Sequence, residues 1–354
     1  MLRLFAVFVV VTLGATLVSH AQQTPLERLP PDVLDVTPPH ARVRGTPGGM
    51  AVQPRPCRVR PVTQARRRIV DVAAQEWGFF GFRVVDRTEI APPGDRRSNA
   101  VPRAGAQAGA FRRRSRLPPE EAERVASSIA GYWAVTSEGA WIVGRQNEEW
   151  KGADGIAARW NAPWSAAFIS WVMCEAGLGT ADVFQRAIAH HAYIDQAIRA
   201  RDGRSSRSAF AAYDMGEAVI TPGDLLCSSR QPVYRTVAER RRQMGAGART
   251  HCDIVVKVDE AMERILVIGG NVRGTVSLKV LRAERQAGKP LGVMDPDEER
   301  PIFVHLKLRA EAIAADALDT SATMQRAGCM LLAEAIVIGR RPGAVQAAAT
   351  GARC

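Results

Sequence analysis

The stretch Pro163-Trp164-Ser165-Ala166-Ala167-Phe168-Ile169-Ser170-Trp171-Val172-Met173-Cys174-Glu175-Ala176-Gly177 decides the fold. Pro163 fits the entry to a helix, where a missing N–H costs nothing. Ala166, Ala167, Ile169, Ser170, Val172, Met173 and Ala176 then form a small-residue, apolar helical body, and Gly177 and Gly179 end it. Ser165 stands at the start of this helix. A side chain there feels the positive end of the helix dipole and lies beside free backbone N–H groups, which suit a developing oxyanion. The same residue type at the same place is also an ordinary N-cap.

Upstream, residues 66–86 repeat apolar side chains with a helical period at Ile69, Val72, Ala73, Trp77 and Phe80. Residues 91–116 read as a Pro/Gly/Arg loop, and Pro118-Pro119-Glu120-Glu121 opens a second helix that runs to about Thr136. Residues 137–162 read as a loop with Trp141, Trp150 and Trp160, side chains suited to a packed wall or to sugar stacking. Downstream, residues 184–200 give another helix. The period then changes. Thr221-Pro222-Gly223-Asp224 is a turn in which Asp224 holds the backbone, and 225–228, 251–258, 264–269, 276–280 and 302–308 read as strands. Helices first and strands afterwards predict an α+β fold.

The ends of the chain read differently. Arg3, an apolar run from Leu4 to Val18 and the small residues of Ser19-His20-Ala21 predict a cleaved secretory signal over 1–21. Residues 22–64 are rich in Pro, Gly and Arg and are expected to be a flexible linker; 65–310 form the folded domain; 311–354 are an Ala-rich tail. After signal cleavage no stable membrane span is expected, and the protein is placed in the periplasm or outside the cell. Such a compartment permits disulfides among Cys57, Cys174, Cys227, Cys252, Cys329 and Cys354. Cys227 and Cys252 fall in predicted strands and can pair if those strands are neighbours. Cys57 and Cys354 suggest nothing specific. Net charge is +12, much of it in Arg66–Arg68, Arg112–Arg114 and Arg240–Arg242. Aromatic residues are not interleaved with these triplets, so no nucleic-acid partner is expected, and the arginines read as surface cations.

Serine chemistry needs a base and a group to orient it. His251 opens a predicted strand after a loop, and Asn271 closes the next one in Ile268-Gly269-Gly270-Asn271. Antiparallel neighbours can bring the two together. Asp253 shares a strand face with His251 and is a second candidate orienter, whereas Cys252 points to the opposite face. Trp164, His190, His191 and Tyr193 are candidate substrate-binding residues. Two histidines without a nearby carboxylate make a poor zinc pattern, so neither metal nor cofactor is expected. Cys174 reads as core, and His305 as a strand residue without a role.

In this order the elements resemble the papain-like amidases of the CHAP and NlpC types, which place Cys at the helix start, His on a strand and a polar residue on the next. The motifs resemble still more closely an exported bacterial family of unknown function. They read Trp164–Ser170, Ala189–Ile194 (Ala-His-His-Ala-Tyr-Ile), Gly223–Leu225, Thr250–Val255 and Gly269–Val272, over roughly residues 65–310. The resemblance implies a papain-like fold with helices on an antiparallel sheet. It also implies an amide hydrolase acting on peptidoglycan or its peptides, with Ser165 in the nucleophile's place, His251 as base and Asn271 or Asp253 as orienter. The departure is Ser for Cys, because a hydroxyl must lose its proton during attack whereas a thiolate forms readily. Two other readings stay open: a silent binding or scaffold domain in which Ser165 is only a cap, and a reaction led by other residues.

Overall fold

The computed structural model describes residues 25–88, 119–285, 290–294 and 299–328. The expected signal segment, the 91–116 loop, the Arg112–Arg114 triplet, Cys329, Cys354 and the end of the tail lie outside the described residues. The helices are α1 (Pro31–Leu34), α2 (Ala65–Phe79), α3 (Pro119–Trp133), α4 (Gly139–Lys151), α5 (Ser165–Glu175), α6 (His191–Arg201) and α7 (Val237–Arg241). The strands are β1 (Val43–Arg44), β2 (Ala51–Val52), β3 (Val84–Arg87), β4 (Phe210–Tyr213), β5 (Leu225–Gln231), β6 (Arg249–Asp259), β7 (Arg264–Val272), β8 (Thr275–Glu284), β9 (Gly292–Val293) and β10 (Ile302–Leu308). The main sheet runs β3-β8-β7-β6-β5-β10-β4, with β9 added to β8. Only β3 runs parallel to its neighbour β8; the other pairs in that sheet are antiparallel. The chain is therefore α+β, with helices on a largely antiparallel sheet.

Helix α5 lies in the core of the fold. All 11 residues of α5 are buried, as expected for a helix with apolar side chains on every face. It packs on β6 and β7 and against α2 and α3. Strand alternation then divides the sheet. Cys252, Ile254 and Val256 of β6 join the core under the helices. Val255, with Leu226, Val267 and Leu281, joins a smaller apolar cluster on the other face. Cys227 and Cys252 are register partners on β5 and β6, and a disulfide links them.

Several elements differ from the sequence reading. Residues 139–151, read as loop, form α4, whose buried face mixes Ile142, Val143 and Trp150 with Gln146 and Asn147; the two buried amides hide the apolar period. Residues 84–87, read as the end of a helix, form β3. Residues 25–64, read as a flexible linker, are packed. Leu26, Leu29, Val36 and Met50 are buried, and Arg28 makes a forked ion pair with Glu76 at 2.6 and 2.7 Å. Buried Arg42 pairs with buried Glu175 at 2.6 Å, and a disulfide ties Cys57 to Cys174 at the end of α5. A few well-spaced apolar residues and fixed arginines anchor a segment whose composition alone suggests a coil. The first part of the tail also packs, since the Leu318 N–H donates to the Val256 carbonyl at 3.1 Å.

The described arginine triplets are not simple surface cations. Arg66 is buried on Asp224 at 2.7 Å, and Arg240 is buried on Asp195 at 2.7 Å. Arg67 pairs with Asp71 and Arg241 with Asp202. Much of their charge is therefore used inside the fold. No helix among the described residues is long and apolar enough to cross a membrane.

Candidate functional site

Ser165 is the first residue of α5 and is 9% exposed. Its Oγ lies 2.7 Å from Nε2 of His190. His190 immediately precedes α6, and it is buried. The other ring nitrogen, Nδ1, meets two groups: the hydroxyl of Tyr193, one turn along α6, and the backbone N–H of Cys252, which donates at 3.3 Å. Pairing between β6 and β7 starts at Ile254 opposite Ile268. Beyond it the strands part, and there His190 takes up the Cys252 N–H.

The second half of the site lies on β6, β7 and β8. His251 meets His190 edge-to-face, with ring centroids 5.3 Å apart. His251 Nε2 donates to Oδ1 of Asp253 at 2.9 Å, and Lys279 of β8 donates to Oδ2 at 2.8 Å. Because Nε2 is committed to the carboxylate, Nδ1 of His251 is the nitrogen open to a substrate or a proton; it has no hydrogen-bond partner among the described residues. The His251 side chain is 27% exposed, against 11% for Asp253, so the site meets solvent at His251.

The local sequence explains this packing. A side chain at Gly269 would place its Cβ 1.9 Å from Asp253 Oδ1 and 3.1 Å from His251 Nε2. A side chain at Gly270 would strike Phe168 of α5 at 2.6 Å. The Gly-Gly pair thus lets the carboxylate lie on one face of β7 and α5 on the other.

Charge follows from burial and neighbours. Burial alone would raise the Asp253 carboxyl, but Lys279 and His251 outweigh it and hold it far below the usual range, so it is ionised. Burial pushes the His190 imidazole well below its ordinary value, and the nearby His251 pushes it the same way, so it is neutral. Burial and then the Asp253 charge raise the Tyr193 phenol, which keeps its proton.

The candidate residues are distributed as follows. Ser165, His190, Tyr193, His251 and Asp253 converge. Ser165 bonds to His190, where a bond to His251 was expected. Asp253, not Asn271, orients His251. Asn271 sits at φ 57°, a left-handed position within β7 where the register with β8 shifts between Gly269 and Val272, and its place is set by that backbone. Trp164 is 2% exposed and packs against Phe80 and Tyr132, so it is a wall of the core and not a substrate contact. His191 Nδ1 faces the backbone of Ala248. Lys279 escaped the sequence reading because it alternates with apolar neighbours along β8 like any solvent-facing lysine. Among the described residues no group of three or more His, Cys, Asp or Glu side chains is arranged to hold a metal ion.

Residues 121–330 match the family described as an uncharacterised protein conserved in bacteria, DUF2272. The matched segment is more than half of the chain, and the chain belongs to that family. No curated protein matches the chain, and no solved structure does.

Proposed function

We propose that this DUF2272 member is a hydrolase of peptidoglycan-type amide bonds in the cell envelope, built on a papain-like arrangement with serine as the nucleophile. One observation carries the reading. A serine at the start of a buried helix is hydrogen-bonded to His190, and the His190 ring meets a second imidazole, His251, that an ionised carboxylate orients and whose second nitrogen is open. Nucleophile, base and orienter are the parts such chemistry needs. Ser165 Oγ attacks the amide carbon while its proton passes to His251 Nδ1, directly or through one water. The N–H groups of Ser165 and Ala166 receive the oxyanion. The C–N bond then breaks, the proton moves from His251 to the leaving amine, and water hydrolyses the acyl-serine with His251 again as base. The resemblance of the motif order to that of CHAP and NlpC amidases is what suggests the substrate class, and the two disulfides suit an oxidising compartment outside the cytoplasm.

A second reading, a binding domain without turnover, is favoured by the buried and mutually satisfied Ser165–His190 pair. Mass spectrometry of peptidoglycan fragments incubated with the purified protein separates the two. New amine and carboxyl termini support hydrolysis; saturable binding with unchanged fragments supports the silent domain. Gly269→Ala is a finer check. Its methyl would displace the Asp253 carboxylate from His251, and a shift of about 1 Å in a catalytic group can cost about 100-fold. Turnover is therefore expected to fall by about that factor with the fold retained. Unchanged turnover would show that the Asp253–His251 bond is not needed.

A further inference from the structure

We infer that His190 is a fixed hydrogen-bond donor to Ser165 Oγ and not the base that deprotonates it. The inference rests on the hydrolase reading for its kinetic consequences, but the proton assignment stands on geometry alone. A backbone N–H can only donate, and that of Cys252 is directed at His190 Nδ1 at 3.3 Å. Nδ1 must therefore present its lone pair. The Tyr193 hydroxyl also meets Nδ1. Tyr193 is 1% exposed, and its hydroxyl hydrogen has no other acceptor among the described residues, so it too is given to Nδ1. With Nδ1 accepting twice, the proton of the neutral ring sits on Nε2 and points at Ser165 Oγ, 2.7 Å away.

This assignment divides the work between two histidines. A Ser-His-Asp triad uses a histidine whose Nδ1 carries the proton and whose Nε2 accepts; His190 has the opposite tautomer. It holds the serine oxygen by one lone pair, which leaves the serine hydrogen to turn toward another acceptor. The neighbouring imidazole of His251 has an open nitrogen for that hydrogen. As negative charge grows on Oγ during proton transfer, the His190 N–H bond to it strengthens, which is the differential binding that lowers a barrier. His190 is thus a catalytic residue of the donor kind. Tyr193 and the backbone of Cys252, which the Cys227 disulfide holds on β6, set its tautomer.

Two measurements test this. In protein labelled with nitrogen-15 at histidine, NMR at neutral pH reads each ring nitrogen directly, and His190 is expected to show a protonated Nε2 and a bare Nδ1. A proton on Nδ1 overturns the inference whether or not the protein turns over substrate. In kinetics, His190→Gln places an amide N–H where Nε2–H was but cannot accept a proton at neutral pH. It is expected to keep activity within about 10-fold of wild type, while His190→Ala loses about 100-fold, the usual cost of one lost oxyanion-type donor. A His190→Gln enzyme as inactive as His251→Ala would make His190 the base and overturn the assignment. Failure of the hydrolase reading has a different signature: no products from wild type, with the tautomer as assigned.

Discussion

Ser165→Ala and His251→Ala are each expected to lower turnover by about 10⁴-fold or more, and the double variant is expected to be little worse than either alone. The size follows from the way a nucleophile and its base act as one unit: once either is gone, the other has nothing to do. What remains is the catalysis of the helix N-terminus and substrate binding, which neither substitution touches. His251 has the exposure and orientation for the role, since its Nε2 is committed to Asp253 and its side chain is 27% exposed. Both substitutions should fold. Ser165 is a small side chain whose hydroxyl makes one bond to His190, and alanine fits the helix start. Removing His251 leaves Asp253 with its Lys279 partner at 2.8 Å, so the carboxylate is not stranded. Turnover measured as product accumulation by mass spectrometry, with near-ultraviolet circular dichroism as the check on fold, gives the result. A Ser165→Ala protein that keeps turnover while His251→Ala loses it would make a water activated by His251 the nucleophile. Additive losses in the double variant would mean that the two residues act in separate steps.

The sequence made some of this plain for reasons that can be named. The helix at 165–175 was legible because a helix with apolar side chains on every face has one place to go. The β5–β6 pairing was legible in part from two cysteines in predicted strands. Ser165, His251 and Asp253 could be chosen because the chemistry restricts their types and because alternation puts His251 and Asp253 on one strand face. The His190–Ser165 bond was not legible. It depends on how the loop 176–190 returns the chain to the start of α5, and no local period encodes that path. Asn271 was misassigned because its left-handed backbone, which Asn tolerates, outweighs any reach of its side chain. Trp164 was misassigned because a tryptophan beside a candidate nucleophile reads equally as platform or core. Residues 25–64 were misread because composition averages over Leu26, Arg28, Leu29 and Arg42, the few side chains that dock the segment.

Asp224→Ala is expected to cost about 3–5 kcal/mol of stability, the range for removing one partner of a buried charge pair. The sequence predicts a local, turn-holding role for Asp224, which accepts from Thr221 N–H at 3.0 Å and Thr221 Oγ1 at 3.1 Å. Its larger role is long-range. Fully buried, it accepts from Arg66 of α2 at 2.7 Å, from His305 Nε2 of β10 at 2.8 Å and from the Leu308 N–H at 2.9 Å. One carboxylate thus ties the first core helix and the strand next to the sheet edge to the turn that starts β5. Alanine would leave the 1%-exposed guanidinium of Arg66 with backbone carbonyls as its hydrogen-bond partners and no countercharge. For a domain of this size the expected fall in Tm is about 10 °C, at roughly 2–4 °C per kcal/mol, read by thermal or denaturant melting. Acid supplies an independent check. Burial pushes the Asp224 carboxyl up, but the bond and charge of His305, then Arg66 and the Leu308 N–H, outweigh it and hold it below the usual range. A depressed folded pKa stabilises fully above the unfolded value, about 4, and that contribution is lost as pH falls through the folded one. The wild-type protein should therefore lose stability on acidification more steeply than Asp224→Ala. A variant within 1 kcal/mol of wild type, or one with the same acid slope, would show that the buried cluster is held by its backbone bonds and not by the charge of Asp224.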